Sequence, residues 1–166
     1  LVVSGLTARL KAETAQARMR ERRARQLHAL ADTLASAQDD SRLLASGLAA
    51  LQETFERDCC LLVAGDAGAL AIEGRKGSIE IDADAAGWSF EQQRSIGPTT
   101  DYWPELANWY VPLPGDDAAL GVVAMVATAG RSPAAAEDLR YLEAFARQIG
   151  LALQRAQRSQ RARAAA

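Results

Sequence analysis

Residues 7–37 contain neither proline nor glycine, and Leu27, Leu30, Ala31 and Leu34 recur at the three-and-four spacing of an amphipathic helix. The first half of that stretch has only a thin alanine stripe (Ala17, Ala24) set among Arg and Glu, so it buries little alone and needs a partner. Asp39-Asp40-Ser41 offers a stop and a new N-cap. Leu43, Leu44, Leu48, Leu51 and Phe55 then mark a second amphipathic helix to about Arg57.

At that point the period changes. Cys59 to Ala64 is a short continuous apolar run, the pattern of a buried strand, and Gly65-Asp66-Ala67-Gly68 turns it into a hairpin partner at Leu70-Ala71-Ile72. Ile79 and Ile81 suggest a further short strand, and residues 83–94 a helix carrying Trp88 and Phe90. After a proline-bearing loop, Trp109, Val111 and Leu113 alternate as in a strand. Gly115-Asp116-Asp117 turns into residues 120–127, the most continuously apolar segment and the expected central strand. Ser132-Pro133 supplies an N-cap followed by proline at the first helical position, which opens a helix from about Ala134 to at least Gln160.

On this last helix Leu139, Leu142, Ala146, Ile149, Leu153 and Ala156 form a seam, widened by Phe145 and Ala152. Such a seam packs either within the molecule or against a second copy. The order of elements predicts an α+β fold, a central antiparallel sheet of about five to six strands with the helices grouped on one face, the N- and C-terminal ones packed together.

Composition sharpens the picture in three ways. Thirty-six of the 166 residues are alanine, so the 49% apolar fraction overstates the large side chains available to a core. Charge is segregated: residues 1–31 carry seven Lys/Arg against two acids, residues 32–143 seven against nineteen, and residues 144–166 five Arg and no acid. An acidic body between basic ends is a poor phosphate-backbone binder, which argues against nucleic acid as a partner. Six of the nine aromatic residues (Trp88, Phe90, Tyr102, Trp103, Trp109, Tyr110) fall within one stretch broken by glycine and two prolines.

Candidate chemistry is sparse. Cys59 and Cys60 are neighbours, so on a strand they point to opposite faces and suit neither a disulfide nor a zinc site; both read as small core fillers in a reducing compartment. The single histidine, His28, lacks the flanking residues of a phosphoacceptor box and has no second histidine to work with. The 65–68 turn lacks the Gly-Lys-Ser/Thr of a phosphate-cradling loop, and Asp82-Ala83-Asp84 begins like a calcium loop without its later ligands. No catalytic residue, metal site or cofactor is expected. The chain opens on leucine and reads as part of a longer protein. Its first six residues, apolar and followed by Arg9, Lys11, Arg18, Arg20, Arg22, Arg23 and Arg25, fit the exit of a membrane span followed by its basic cytoplasmic flank.

The aromatic stretch is the most specific signal. Trp88-Ser89-Phe90-Glu91, then Gly97, Thr100-Asp101 and Pro104, resembles the W-x-F-E…G-x-x-T-D-x-x-P signature of the GAF-like domain in KdpD-type sensor histidine kinases, which respond to potassium. The similarity extends to Leu61-Leu62 through Gly68-Ala69-Leu70, to Val111-Pro112-Leu113, to Leu120-Gly121-Val122, and to the run from Leu142 to Leu153, which resembles that domain's exit helix. Leu6 to Leu10 is similar to the passage out of the last membrane span. Gln92-Gln93, Pro98-Thr99 and Tyr102-Trp103 depart from the pattern and make the loop stiffer and larger.

The resemblance implies a non-catalytic GAF-like sensory and transmission domain on the cytoplasmic side of a bacterial inner membrane, between the membrane spans and the kinase core. Its expected parts are a membrane-exit remnant and basic linker helix over 1–37, the domain over 38–160, and a tail over 161–166. Arg18, Arg20, Arg22, Arg23 and Arg25 would lie against anionic lipid, and a homodimer would form through the terminal helices, with Leu139, Leu142, Ala146, Ile149 and Leu153 as its signalling seam. Trp88 and Phe90 would anchor the loop's helix on the sheet. Thr100, Asp101, Tyr102, Trp103 and Pro104 would close over the ligand position of GAF modules or simply fill it, with Thr100 and Asp101 capping the loop. The competing readings are a nucleotide-type small-molecule receptor, a GAF-type methionine sulfoxide reductase and a plain dimerisation spacer.

Overall fold

The computed structural model describes residues 2–128 and 130–166; Leu1, where the expected membrane-exit remnant begins, lies outside them. In chain order the elements are α1 (Val2–Ala35), α2 (Asp40–Phe55), β1 (Cys59–Ala64), β2 (Leu70–Lys76), α3 (Ala83–Gln92), β3 (Asn108–Leu113), β4 (Gly121–Val126) and α4 (Pro133–Ala165). Three helices begin on side-chain caps. Asp39 accepts from the Arg42 N–H at 2.8 Å, Asp82 from Ala85 at 3.0 Å and Ser132 from Ala135 at 3.1 Å. Each bond satisfies an amide that has no partner inside its helix.

The sheet is antiparallel throughout, in the order β2-β1-β4-β3. β1 and β4 are the inner strands, as the apolar run at 120–127 predicts. Both faces of the sheet are covered. Cys59, Leu61, Trp109, Val111, Val123 and Met125 point to the face packed by α1, α2 and α4. Cys60, Leu62, Tyr110, Val122 and Ala124 point to the opposite face, under α3. Burial on both faces explains why β1 and β4 read as continuous apolar runs instead of alternating.

Two expectations change. The described residues form four strands rather than five or six. Ile79 is buried but belongs to a loop that side chains hold in place: the Asp82 N–H donates to the Tyr110 hydroxyl at 2.8 Å, and Asn108 Nδ2 donates to Glu80 O at 2.8 Å. Ile96 makes one bridge to Tyr110, with amide–carbonyl distances of 3.0 and 3.1 Å, and pairing stops there. Gly97, at φ +117°, turns the backbone away, and Pro98 has no N–H to extend the ladder. The N- and C-terminal helices do pack together on one face, with α2, while α3 departs from the grouping and covers the second.

α1 and α4 run side by side in the same direction. Arg23 is level with Asp138, Gln26 with Tyr141, and Leu34 with Ala152 across a shared cleft. α4 lies very close to the end of β3: a Cβ at Gly150 would sit 2.6 Å from Pro114 O, so that position admits no side chain. The second half of α1 packs in the core through Leu30 and Leu34, whereas residues 4–22 are exposed throughout. At 1.5 Å per residue, this arm extends roughly 28 Å beyond the body. Among the described residues no helix is long and apolar enough to cross a membrane.

Candidate functional site: a helical relay and its flanking groove

Arg23 falls on the same helical stripe as Leu27, Leu30 and Leu34, being four, seven and eleven residues before them. It therefore faces the body, where its guanidinium donates to Asp138 at 2.7 Å and lies over the Tyr141 ring at 4.6 Å. Asp138, on the first turns of α4, also accepts from the Thr128 hydroxyl at 3.0 Å and lies 3.6 Å from Arg57. Arg57 itself sits 5.9 Å over the Trp109 ring. Tyr141 donates to Gln26 at 2.5 Å and packs on Phe55 and Phe145 with centroids 5.1 Å away in each case. One carboxylate thus joins α1, the end of α2, the segment after β4 and α4. Burial pushes the Tyr141 phenol up to about 12, against the opposing pull of Arg23, so it stays a neutral donor.

The other arginines of the expected lipid-facing set, Arg18, Arg20, Arg22 and Arg25, are exposed on α1, whereas Arg23 is half-buried on Asp138. The expected seam lies inside the molecule. Leu139, Leu142, Ala146, Ile149 and Leu153 are between 0% and 7% exposed and pack with α1, α2 and the sheet. The structure gives those side chains to the intramolecular core, so a second copy would meet the outward face of α4, where Leu151 is 53% exposed. Further along, the turn between β3 and β4 is tied to α4 by an ion pair of Arg158 with Asp116 and by the Asp116 N–H on Gln154 at 3.0 Å.

In the aromatic stretch Trp88 and Phe90 pack, partly buried, against the cluster on the second face of the sheet. α3 is anchored by its small residues, Ala85, Ala86 and Ser89, all at most 1% exposed, because one face of small side chains lets the helix approach the sheet. The Ser89 hydroxyl lies 2.7 Å from Arg94 O and 3.2 Å from Tyr110 O. Trp88 also meets Tyr102 at 5.3 Å and Trp103 at 6.3 Å between ring centroids. Under α3 the space holds Cys60, Leu62, Ile79, Ile96, Tyr110 and Val122.

The 97–104 loop stands beside α4. A Cβ at Gly97 would overlap Asn108 O, so only glycine lets the loop lie this close to β3. Trp109 Nε1 donates to Pro98 O at 2.7 Å, and the Thr100 hydroxyl sits 2.8 Å from Gly97 O and 2.7 Å from Tyr102 O. Thr100 thus staples the loop. Asp101 and Pro104 are exposed, and Trp103 is half-buried at φ +55°. Between this loop, the free edge of β3 and α4 lies a groove of about 580 Å³.

The remaining reactive groups are not arranged for chemistry. Cys59 and Cys60 are fully buried in opposite clusters, and burial above all, then Cys60 and Asp58, pushes the Cys59 thiol up to about 11. Burial raises Cys60 as well. Thiolates are the nucleophilic form, so neither residue suits a reductase centre. His28 faces solvent beside Asp32. Among the described residues no group of three or more metal-ligating side chains converges. The sequence reading missed Asp138, Arg57, Thr128 and Gln26. A detectable signal existed in Arg23, a cation set on an otherwise apolar helical stripe.

The family model of the GAF domain matches residues 41–155. The chain is 28% identical over 156 residues to the sensor protein KdpD of Escherichia coli strain K12; the match covers 93% of this chain and 17% of that protein. Among solved structures it is similar to the GAF domain of the potassium sensor histidine kinase KdpD from Escherichia coli, with TM-score 0.72 and 25% identity over 84% of this chain and 98% of that one. The free methionine-R-sulfoxide reductase of Neisseria meningitidis shares the fold alone, at TM-score 0.63 and 17% identity over 80% of this chain and 89% of that one.

Proposed function

Because the chain belongs to the GAF domain family, we propose that it is the non-catalytic sensory and signal-transmission domain of a KdpD-like sensor histidine kinase controlling potassium-uptake genes. The chain spans 17% of the length of the curated relative it matches, so the kinase activity belongs to parts outside it. In this reading the domain sits on the cytoplasmic side of the inner membrane. Arg18, Arg20, Arg22 and Arg25 face anionic lipid, at ~1 kcal/mol per well-placed cation. The parent's membrane spans feed α1 and its kinase core continues from α4. A homodimer forms through outward faces of the terminal helices, where Leu6, Leu10, Met19 and Leu151 are exposed.

The observation that carries the proposal is the Asp138 junction. α1 and α4 are parallel, the free arm of α1 leaves the body at Arg23, and Arg23 is fixed to the start of α4 by its carboxylate. Any rotation or pull on the arm reaches α4 first through that contact. The test is autophosphorylation of the full-length parent across a potassium series, wild type against Arg23→Gln. The proposal expects a flattened potassium response with the domain still folded; a response curve identical to wild type would overturn it.

A further inference from the structure

The geometry points to the groove between the 97–104 loop and α4 as a binding site for a small organic monocarboxylate with an apolar body. At about 580 Å³ it falls within the range of ordinary small-molecule sites. Its floor is apolar: Val111, Pro112 and Pro114 along the edge of the sheet, and Leu139 from α4. Its rim carries two guanidiniums, Arg94 and Arg147.

Both cations are uncommitted. Among the described residues neither has a carboxylate within 4 Å, a condition they share with most of the chain's arginines, whereas Arg23, Arg42, Arg57 and Arg158 are paired. Arg147 follows Glu143 by four residues on α4, the favourable orientation for a helical ion pair, yet the pair does not form. Glu143 instead accepts from the Ser95 hydroxyl at 3.0 Å. Arg94 is held 5.2 Å over the Tyr102 ring, which orients its planar fork without neutralising it.

A third group also lacks a partner. The Thr99 hydroxyl is shielded from solvent with no hydrogen bond, in a β-branched residue at φ +67°. Such backbone is unfavourable for threonine, and an unpaired buried hydroxyl adds to the cost. The staple at Thr100 and the anchor from Trp109 to Pro98 hold the loop in this form, so the site is preformed.

Ligand class follows from these groups. Two guanidiniums flanking a cavity match a planar oxyanion, which each can grip with two parallel bonds. Glu143 and Asp101 on the same walls bring the formal charge of the lining to zero, which disfavours a dianion such as phosphate and suits a single negative charge. Pro112 and Pro114 have no N–H, so the edge lacks the donors with which a strand-like peptide would pair. The proline and leucine floor covers an alkyl or aromatic body instead. Because α4 contributes Leu139, Glu143 and Arg147, an occupant would touch the exit helix directly.

The probe is benzoate, titrated into the 166-residue chain and followed by amide chemical shifts, with acetate and inorganic phosphate run in parallel. The site predicts saturable benzoate shifts confined to residues 93–102, 111–115 and 139–147. Acetate, lacking the body, and the Arg94→Gln and Arg147→Gln variants should each bind about tenfold more weakly or worse. Arg161→Gln, exposed near the end of α4 and outside the groove, should bind benzoate as the wild type does. Both rim arginines are exposed, so their variants fold, and their own spectra check this. Shifts that grow linearly without saturation, benzoate binding unchanged in Arg147→Gln, or phosphate binding tighter than benzoate would each overturn the assignment. The titration needs no kinase, so its failure is separate from failure of the transmission reading.

Discussion

Replacing Asp138 by asparagine keeps the side chain's size and removes one charge, leaving Arg23 and Arg57 beside a neutral amide. The side chains of Asp138, Arg23 and Arg57 are 21%, 25% and 27% exposed, so the junction lies between a surface pair and a buried one. Exposed ion pairs contribute ~0–1 kcal/mol, and hydrogen bonds to charged groups ~1.5–3 kcal/mol. Discounting for the solvent that reaches a fifth to a quarter of each group, Asp138→Asn should cost about 2 kcal/mol. Arg23→Gln loses its bond to Asp138 and its place over Tyr141, but Asp138 keeps Thr128 and Arg57; about 1.5 kcal/mol follows. The two changes share one contact, which simple addition counts twice. The double variant should therefore lose about 2.5 kcal/mol instead of 3.5, a coupling of about 1 kcal/mol.

Urea denaturation followed by tryptophan fluorescence reads this cycle, because Trp109 is fully buried at the junction and reports its opening. For a chain of this size, Asp138→Asn should lower Tm by roughly 4–8 °C. A coupling below about 0.3 kcal/mol, or a single variant within about 0.5 kcal/mol of wild type, would show that the arm is held by Leu27, Leu30 and Leu34 alone. The carboxylate would then be a bystander.

Stability should fall as pH rises from about 10 to 12, because the unfolded Tyr141 gives up its proton near 10 while the folded phenol keeps it to about 12. Over that interval the folded state binds more protons, and Tyr141→Phe should flatten the slope measured by urea titration. Cys59 and Cys60, fully buried with raised thiols, should resist a disulfide labelling reagent at pH 8 until the chain is unfolded; rapid labelling of the native protein would contradict their placement. Ile149→Asp places a carboxylate in the core and should cost roughly 4 kcal/mol or more, whereas Leu151→Asp, two residues on, should leave Tm unchanged and weaken any self-association measured by mass in solution.

What the sequence disclosed tracks the interactions that are local. α2 and α4 announced themselves through stripe and cap and α1 through its stripe, and Asp39 and Ser132 do cap, as Asp82 does for α3. The apolar runs at 59–64 and 120–127 located the two inner strands for the same reason, since burial on both faces leaves no polar positions. The extra strand at Ile79 and Ile81 failed because that segment has the right side chains but ties its backbone to side chains of β3, a choice made by Tyr110 and Asn108 at a distance. The seam on α4 was visible, but a three-and-four spacing records only that a face is covered. Whether α1, α2 and the sheet or a second copy covers it depends on the whole fold. Asp138 escaped notice because its partners come from residues 23, 57 and 128, and no spacing rule connects them.

The positions of these contacts on α4 would let one helix integrate several inputs, as the proposed transmission role requires. At its first turns Asp138 receives α1. One and two turns later Glu143 and Arg147 line the groove beside the 97–104 loop, and Leu142, Phe145 and Ile149 lock into the sheet from the opposite side. Near its exit, Arg158 and Gln154 hold the turn between β3 and β4. A helix fixed so tightly through its apolar side has little freedom to bend, since close-packed side chains resist partial displacement. On the proposed reading it would move as a rod, and a change at either the junction or the groove would be delivered to the same C-terminal turns. Transmission then requires only that the arm and the groove favour the same or opposing settings of that rod, a coupling that thermodynamic reciprocity makes measurable from either end.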